Sequence, residues 1–311
     1  MLATDMTSTT PRSGLFSHVS APVEGAALMV FTCACFAGMS AIIRDVAATI
    51  SPFEIALFRN VVSLVLITPF FLRAGMVGLK VDRLKPFAFR GIVGILAMWS
   101  WYSALGMIPL AEAISLNFTV ALWMIPVAMI LLGEKIGIRR WIATLVGFAG
   151  VLVVLQPGAD TFSIGGVLAI FSALLFATSM ALVRILSKTE SPTAIVFYMN
   201  VILTPLSLGP AIYFWTTPNW SELGWLIAVG AIASIAHYSM ARALSLAEAT
   251  ALTPLDFTRL PFAAAIGYFA FAEVPATTTW IGAGIIVASA LYISHREARL
   301  KRAAVKLTAQ L

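Results

Sequence analysis

The sequence predicts an all-α integral membrane protein, with ten transmembrane helices arranged as two inverted five-helix repeats. The first support is composition: of 311 residues, 60% are hydrophobic and only 11% are charged. Soluble domains have roughly 45–50% apolar and about 25% charged residues. So few polar side chains cannot cover a soluble protein of this size. The class that remains is a polytopic membrane protein, whose lipid-facing surface is itself apolar.

The second support is the length of the apolar segments, since a membrane helix needs about 20 apolar residues. Ten such segments use most of the chain and leave little for a soluble domain. The ninth segment contains two prolines and two charges, so we expect it to be broken or kinked. The ten predicted spans are 25–43, 53–72, 87–107, 111–132, 141–155, 165–186, 193–214, 222–241, 250–271 and 279–294.

The third support is the placement of the charges that make the net charge +6. With ten spans, 17 of the 20 Lys and Arg residues fall in loops and tails on one side of the membrane. Arg44, beside Asp45, falls on the other side, and Arg59 and Arg259 fall within spans. The positive-inside rule then places both termini in the cytoplasm. The charge therefore reports topology, and we expect a lipid bilayer and no nucleic acid as partner.

The predicted domains follow from these spans. Residues 1–24, rich in Ser, Thr and Pro, form a flexible cytoplasmic tail without the features of a cleaved signal peptide. The two repeats occupy residues 25–156 and 157–295. Residues 296–311 form a basic cytoplasmic tail.

An internal repeat supports the division into halves. An ordered series of matches recurs about 140 residues apart, which single coincidences in an apolar chain would not produce. An odd number of helices per half inverts the second half in the membrane, a plan typical of secondary transporters. The matches include Ser51-Pro52 with Ser191-Pro192, Asn60-Val61 with Asn200-Val201, Leu110-Ala111-Glu112-Ala113 with Leu246-Ala247-Glu248-Ala249, and Glu134 with Glu273.

Several of these segments resemble one known family. The residues that carry the resemblance are Pro52-Phe53-Glu54-Ile55-Ala56-Leu57-Phe58-Arg59, Leu110-Ala111-Glu112-Ala113, Pro126, Gly133-Glu134-Lys135 and the stretch from Trp141 to Gly150. They look like the EamA-type transporters of the drug/metabolite transporter superfamily. The resemblance implies a ten-helix carrier in the bacterial inner membrane, with a central cavity lined mainly by helices 1, 3, 4, 6, 8 and 9.

The chain is similar to bacterial exporters of amino acids, aromatic ones among them. The resemblance therefore implies a secondary carrier that exports amino acids with aromatic or apolar side chains by alternating access. A broader drug or metabolite transporter, for nucleosides, vitamins or toxic compounds, is the alternative. An intramembrane enzyme is a remote third reading, because the repeat symmetry does not help a single reaction centre. The expected partner is a small-molecule substrate, and the oligomeric state, which includes a monomer, stays open.

Aromatic residues on the third span are the first candidates for substrate binding. Trp101 and Tyr102, with Trp99, lie well inside the membrane by span length. They either pack in the core or form a stacking wall for an aromatic substrate. Tyr238 is the repeat counterpart of Tyr102 and would face it if both pointed inward.

Ionisable residues within the spans are the second group of candidates, because charges at this depth are costly unless paired or hydrated. His237 is either a packing residue or a carboxylate or proton site. Asp256 and Arg259, at i and i+3, form either a structural ion pair or a site for a zwitterion. Arg59 and Asn60 are predicted to be structural or gating residues.

Two glutamates begin spans and are assigned to helix capping rather than gating. Glu112 and Glu248 lie in first helical turns, where the helix dipole stabilises a carboxylate. The chain contains no Walker loop, no dinucleotide fingerprint and no metal-ligand spacing. We therefore expect no catalytic residue, cofactor or metal, and a carrier rather than an enzyme or an ATP-driven pump.

Overall fold

The regular structure of the described residues is helical. A computed structural model describes residues 21–74, 84–134, 137–155, 163–187, 189–190, 192–247 and 249–308. The helices in these ranges are α1 (Ala21–Val46), α2 (Pro52–Ala74), α3 (Leu84–Met107), α4 (Leu110–Asn117), α5 (Val120–Leu132), α6 (Ile138–Leu155), α7 (Ile164–Leu186), α8 (Pro192–Tyr213), α9 (Trp220–Leu246), α10 (Ala249–Asp256), α11 (Arg259–Phe271) and α12 (Thr277–Thr308).

Helical segments suited to a membrane account for most of the described chain. Within it, seven segments are long and apolar enough to span one, which confirms an α-helical membrane protein. The other three predicted spans fall on α3, α8 and the α10–α11 pair, and the count of ten stays a prediction. The seven segments are Ala21–Val46, Pro52–Pro69, Leu110–Leu132, Ile138–Leu155, Ile164–Leu186, Trp220–Leu246 and Thr277–Arg296.

The outer surface carries large apolar side chains at full exposure. Ile130 is 74% exposed and Phe269 is 84% exposed, and many Leu, Ile, Val and Phe side chains share this surface. A soluble monomer rarely exposes so many large apolar side chains. The surface therefore suits lipid, as the composition predicts.

Two helices extend into the tails that the sequence predicts. Residues 21–24, assigned to the flexible tail, form the first turn of α1. The tail after residue 295 continues α12 as far as Thr308. The helix ends were predicted from hydropathy, which decreases where a helix leaves the membrane. The helix itself can continue beyond that point, because its backbone hydrogen bonds do not depend on the membrane. Residues 1–20 and 309–311 lie outside the described residues.

Two helices are broken near their middle. The ninth predicted span breaks at Phe257-Thr258, between α10 and α11, as its prolines and charges suggest. The fourth predicted span was expected to be continuous, but it breaks at Phe118-Thr119, between α4 and α5. In each break the threonine hydroxyl donates a 2.6 Å hydrogen bond to the carbonyl three residues earlier. This side-chain bond supplies a partner where the helical ladder is interrupted.

The two breaks meet inside the molecule. The rings of Phe118 and Phe257 pack edge to face, with centroids 4.9 Å apart. The helices that follow end alike, because Gly133 and Ala272 both adopt the left-handed conformation, with φ of 66° and 53°. A left-handed alanine is uncommon, since its Cβ crowds the backbone there. Corresponding positions of the two halves thus share backbone features.

Helix packing brings the candidate site residues together. α1 lies along α9 and α11, α3 lies along α7, and α2 packs between α8 and α9. Gly230 of α9 touches α2 directly, since a Cβ at this position would lie 2.5 Å from a side-chain carbon of Val62 and 3.2 Å from the carbonyl of Arg59. The Ser63 hydroxyl, one turn further along α2, donates to the Gly230 carbonyl at 3.3 Å. This close contact sets Arg59 against α9.

Candidate functional site

The break between α10 and α11 positions an ion pair. Asp256 is the last residue of α10 and Arg259 is the first residue of α11. The Arg259 Nη2 donates to the Asp256 Oδ1 at 2.7 Å, and neither side chain is fully exposed. The i, i+3 spacing in the sequence predicted this contact, and the broken helix provides it without a continuous helical ladder.

An aromatic ring and a histidine extend this pair towards α1 and α9. The Arg259 guanidinium lies over the ring of Phe36 on α1, 5.0 Å from its centroid. Phe36 in turn packs edge to face against His237 on α9, with centroids 5.3 Å apart. The His237 Nδ1 lies 2.6 Å from the Ala233 carbonyl oxygen, which can only accept a hydrogen bond. Nδ1 is therefore protonated, and Nε2 is the acceptor when the ring is neutral.

Cys33 packs beneath the acidic end of the pair. It is fully buried on α1, and its Sγ lies 3.5 Å from the Leu255 carbonyl oxygen and 3.8 Å from the Asp256 Oδ1. A thiol is a weak donor to such oxygens. Cys33 therefore packs as part of the apolar contact between α1 and α10.

A second polar cluster centres on Arg59 of α2. The Arg59 Nη1 donates to the Asn60 Oδ1 at 3.0 Å and lies 3.9 Å from the Met98 sulfur. The Asn60 Nδ2 donates to the Ser207 hydroxyl on α8 at 3.1 Å. Both residues are buried, and the cluster ties α2 to α3 and α8.

The aromatic candidates occupy different environments. Trp101 and Tyr102 are buried in the main apolar core that α3 shares with its neighbours. Tyr238 is 67% exposed, so only Tyr102 of this pair points into the protein. The Trp99 ring packs edge to face against Phe53, with centroids 5.0 Å apart. This burial fits the core-packing alternative for Trp101 and Tyr102, and their role in a substrate wall stays a prediction.

Arg44 and Glu273 join helices that are distant in the sequence, although the sequence predicted no contact between them. Arg44, which was paired with its neighbour Asp45, instead forms an ion pair with Glu273 and lies 5.3 Å from the ring centroid of Phe271. The Glu273 Oε2 accepts the Leu110 backbone N–H at 2.9 Å and so caps α4. The only sequence signal for this contact was the repeat match of Glu134 and Glu273.

Of the two glutamates that were assigned to helix capping, only Glu112 lies within the described residues. Glu112 lies in the first turn of α4, where its carboxylate faces the positive end of the helix dipole. Glu248 lies outside the described residues. Within the described ranges, no group of three or more His, Cys, Asp and Glu side chains is placed to hold a metal ion.

These features together define a class of protein. The protein is a multi-pass α-helical membrane protein with two broken helices that meet in its interior, one of which carries an ion pair at its break. Discontinuous helices and embedded charges of this kind are typical of substrate pathways in secondary transporters.

Comparison with known proteins identifies the family. The EamA-like transporter family matches this chain twice, at residues 23–156 and 163–295. The chain therefore belongs to the EamA-like transporter family.

Curated relatives carry transporter names. A riboflavin transporter of Vibrio cholerae is 29% identical over 287 residues, which cover 90% of this chain and 96% of the relative. An S-adenosylmethionine uptake transporter of Rickettsia prowazekii is 32% identical, over 79% of this chain and 83% of the relative. A pseudopaline exporter of Pseudomonas aeruginosa is 28% identical, over 88% of this chain and 96% of the relative. These names point to membrane transport of small molecules rather than to an enzyme.

The fold is also found among solved structures. One crystal structure superposes with a TM-score of 0.62 at 20% sequence identity, over 88% of this chain and 98% of that chain. At this identity the likeness concerns the fold alone.

Proposed function

We propose that this protein is a secondary transporter in the bacterial cell membrane for a small metabolite that contains a planar ring, such as a vitamin or a nucleoside derivative. The observation that carries the proposal is the cluster of Phe36, His237, Asp256 and Arg259 at the break between α10 and α11. It combines ring faces with both signs of charge, and these groups suit a ligand with an aromatic part and a polar part.

The names of the relatives support this substrate class. Riboflavin and S-adenosylmethionine both contain a flat heteroaromatic ring system joined to a flexible polar chain. The two relatives with these names cover most of the present chain. We therefore rank the broader metabolite reading above the export of amino acids.

Amino-acid export draws no support from the names of these three relatives. The geometry also argues against the zwitterion site in its simplest form. The Asp256 carboxylate and the Arg259 guanidinium are bonded to each other, so they form a ready-made pair and not two separate anchors. An amino acid would have to separate them before it could bind.

We infer further that transport proceeds by alternating access between residues 25–156 and 157–295, with both termini in the cytoplasm. Two features support this inference: the contact between the helix breaks at Phe118 and Phe257, and the similar ends of α5 and α11. Inverted repeats allow one site to face first one side of a membrane and then the other. Trp101 and Tyr102 would form the wall beside this site.

Purified protein in proteoliposomes tests the proposal. Radiolabelled riboflavin and S-adenosylmethionine would each be measured for uptake and for counterflow, with tryptophan and phenylalanine as competitors. Empty liposomes and the Asp256→Asn variant serve as controls. We expect saturable movement of at least one ring-containing metabolite, with no competition from the amino acids. Transport of an amino acid alone would restore the amino-acid reading and overturn the proposal.

A further inference from the structure

Arg59 is a buried cation without an acidic partner among the described residues. Its side chain is 9% exposed, and among the described residues no Asp or Glu forms an ion pair with it. Its Nε has no hydrogen-bond partner in that part of the chain, and its Nη1 contacts a neutral amide and a sulfur atom. Arginine stays protonated in proteins, so this burial is costly without a counter-anion.

Four other arginines of the described residues do have such an anion. Arg44 pairs with Glu273, Arg184 with Glu134, Arg242 with Glu24, and Arg259 with Asp256. Arg90 of α3 is the other buried arginine without a described ion pair, and it lies 3.1 Å from the Met199 sulfur. Arg90 provides a matched control, because it is equally buried but contacts a different side chain.

Arg59 and Arg90 differ in the side chains that surround them. The Arg59 guanidinium contacts Met98, which lies one turn before the buried Tyr102 on α3. The backbone of Arg59 packs against Gly230 of α9, two turns before His237, and the Phe36 ring joins His237 to Arg259. Arg59 therefore faces the same interior region as the cluster at the α10–α11 break. With His237 neutral, Arg59, Arg259 and Asp256 together leave this region with one surplus positive charge.

Hydrogen bonds hold Arg59 in place. The Asn60 carbonyl oxygen accepts from Arg59, while the Asn60 amide nitrogen donates to the Ser207 hydroxyl. Ser207 in turn donates to the Leu203 carbonyl at 2.6 Å. This chain of bonds fixes one edge of the guanidinium and leaves the Nε edge without a partner. A planar guanidinium edge is well suited to a carboxylate or a phosphate.

We propose that Arg59 binds an anionic group, a carboxylate or a phosphate, on the molecule that this protein transports. The inference deepens the proposed function and rests on it, because it assigns the polar end of the ring-containing substrate. The ring would lie against Phe36 and Tyr102, and the anion would neutralise the surplus charge. Arg59 thus becomes a specificity-determining residue rather than the structural or gating residue that the sequence predicted.

Matched ligand pairs test this assignment. Riboflavin and flavin mononucleotide share one ring system and differ only by a phosphate. S-adenosylmethionine and its decarboxylated form differ only by a carboxylate. We expect wild-type protein in detergent to bind the anionic member at least about tenfold more tightly in one pair or both. Arg59→Gln should reduce this preference to less than about threefold, whereas Arg90→Gln should keep it.

The outcomes separate the two proposals. Equal binding of both members by the wild type, or a preference that survives in Arg59→Gln, overturns the role of Arg59 and leaves the transport proposal standing. Failure of all four compounds to bind counts against the proposed substrate class. The role of Arg59 is then decided by the ligand-free measurement that follows.

Thermal unfolding of the ligand-free protein provides that second measurement. Arg59→Met removes the charge and keeps a side chain of similar length. A cation that awaits a substrate anion destabilises the empty protein, so we expect Arg59→Met to unfold at the wild-type temperature or above it. A clear decrease in the unfolding temperature would assign Arg59 to structure and overturn the proposal.

Discussion

Arg44, near the end of α1, forms an ion pair with Glu273, which follows α11. The two side chains are 21% and 13% exposed, and Arg44 also donates to the carbonyl oxygen of Ile108. A second pair joins Arg184, near the end of α7, to Glu134, which follows α5, at 2.7 Å. Its side chains are 57% and 32% exposed. Arg44 and Arg184 stand about 140 residues apart, the spacing of the repeat that also matches Glu134 with Glu273. Contacts at corresponding positions are therefore shielded in one place and exposed in the other.

The first prediction follows from this difference in burial. Glu273→Gln leaves the partly shielded Arg44 charge without its partner. Breaking a fully buried pair costs about 3–5 kcal/mol, and we expect a cost between this value and that of an exposed pair. Glu134→Gln removes an exposed pair, which contributes about 0–1 kcal/mol. Thermal unfolding in detergent should show a large decrease in the unfolding temperature for Glu273→Gln and little change for Glu134→Gln. Equal decreases in the unfolding temperature of the two variants would contradict the proposed difference in stability between the two ion pairs.

The sequence predicted those features that depend on residues close together in the chain. Hydropathy located the helical segments, and the i, i+3 spacing predicted the contact of Asp256 with Arg259. Proline and charge indicated the break in the ninth span, whereas the break at Phe118-Thr119 had no such signal, since threonine and phenylalanine are common inside membrane helices.

Contacts between distant helices were beyond the sequence. Phe36 was not singled out, because an apolar ring on an apolar helix gives no pattern, and only the packing of α1 against α9 and α11 places it between His237 and Arg259. Arg44 was assigned to its sequence neighbour for the same reason, although its partner lies more than 200 residues away.

The second prediction concerns Trp101. Because Trp101 is buried, only a conservative substitution can test its role in substrate binding without unfolding the protein. Trp101→Ala would leave a large cavity in the core, at a cost of about 3–5 kcal/mol. Loss of transport in that variant could then reflect unfolding alone. Trp101→Phe keeps an aromatic ring and most of the volume, so we expect a folded protein with several-fold weaker substrate binding. Trp220→Phe, on the exposed surface, is the control and should bind as the wild type does. Unchanged binding by a folded Trp101→Phe protein would remove Trp101 from the substrate wall.

The Asp256–Arg259 pair is predicted to serve transport and not only structure. Asp256→Asn removes the partner of Arg259 and should lower transport efficiency at least about tenfold, because it changes the charge that the substrate meets. Glu24→Gln breaks the Arg242–Glu24 pair in the same way, outside the proposed site, and should transport normally. The exchanged variant Asp256→Arg with Arg259→Asp keeps an ion pair but reverses its direction. Full transport by the exchanged variant would show that an ion pair of either direction is sufficient. The pair would then have a structural role and no direct role in transport.

Phe36 is predicted to contribute its ring face rather than its volume. Phe36→Leu keeps an apolar side chain of comparable size but removes the ring that lies beneath the Arg259 guanidinium and against His237. An aromatic pair contributes about 0.5–1.5 kcal/mol, so without a Phe36 ring to stack on, a ring-containing substrate should bind about two- to tenfold more weakly. Phe31→Leu, at an exposed position of the same helix, is the matched control and should bind like the wild type. Binding would be measured by titration of purified protein with riboflavin and S-adenosylmethionine. If Phe36→Leu and Phe31→Leu bound both compounds equally well, the ring of Phe36 would have no part in substrate recognition.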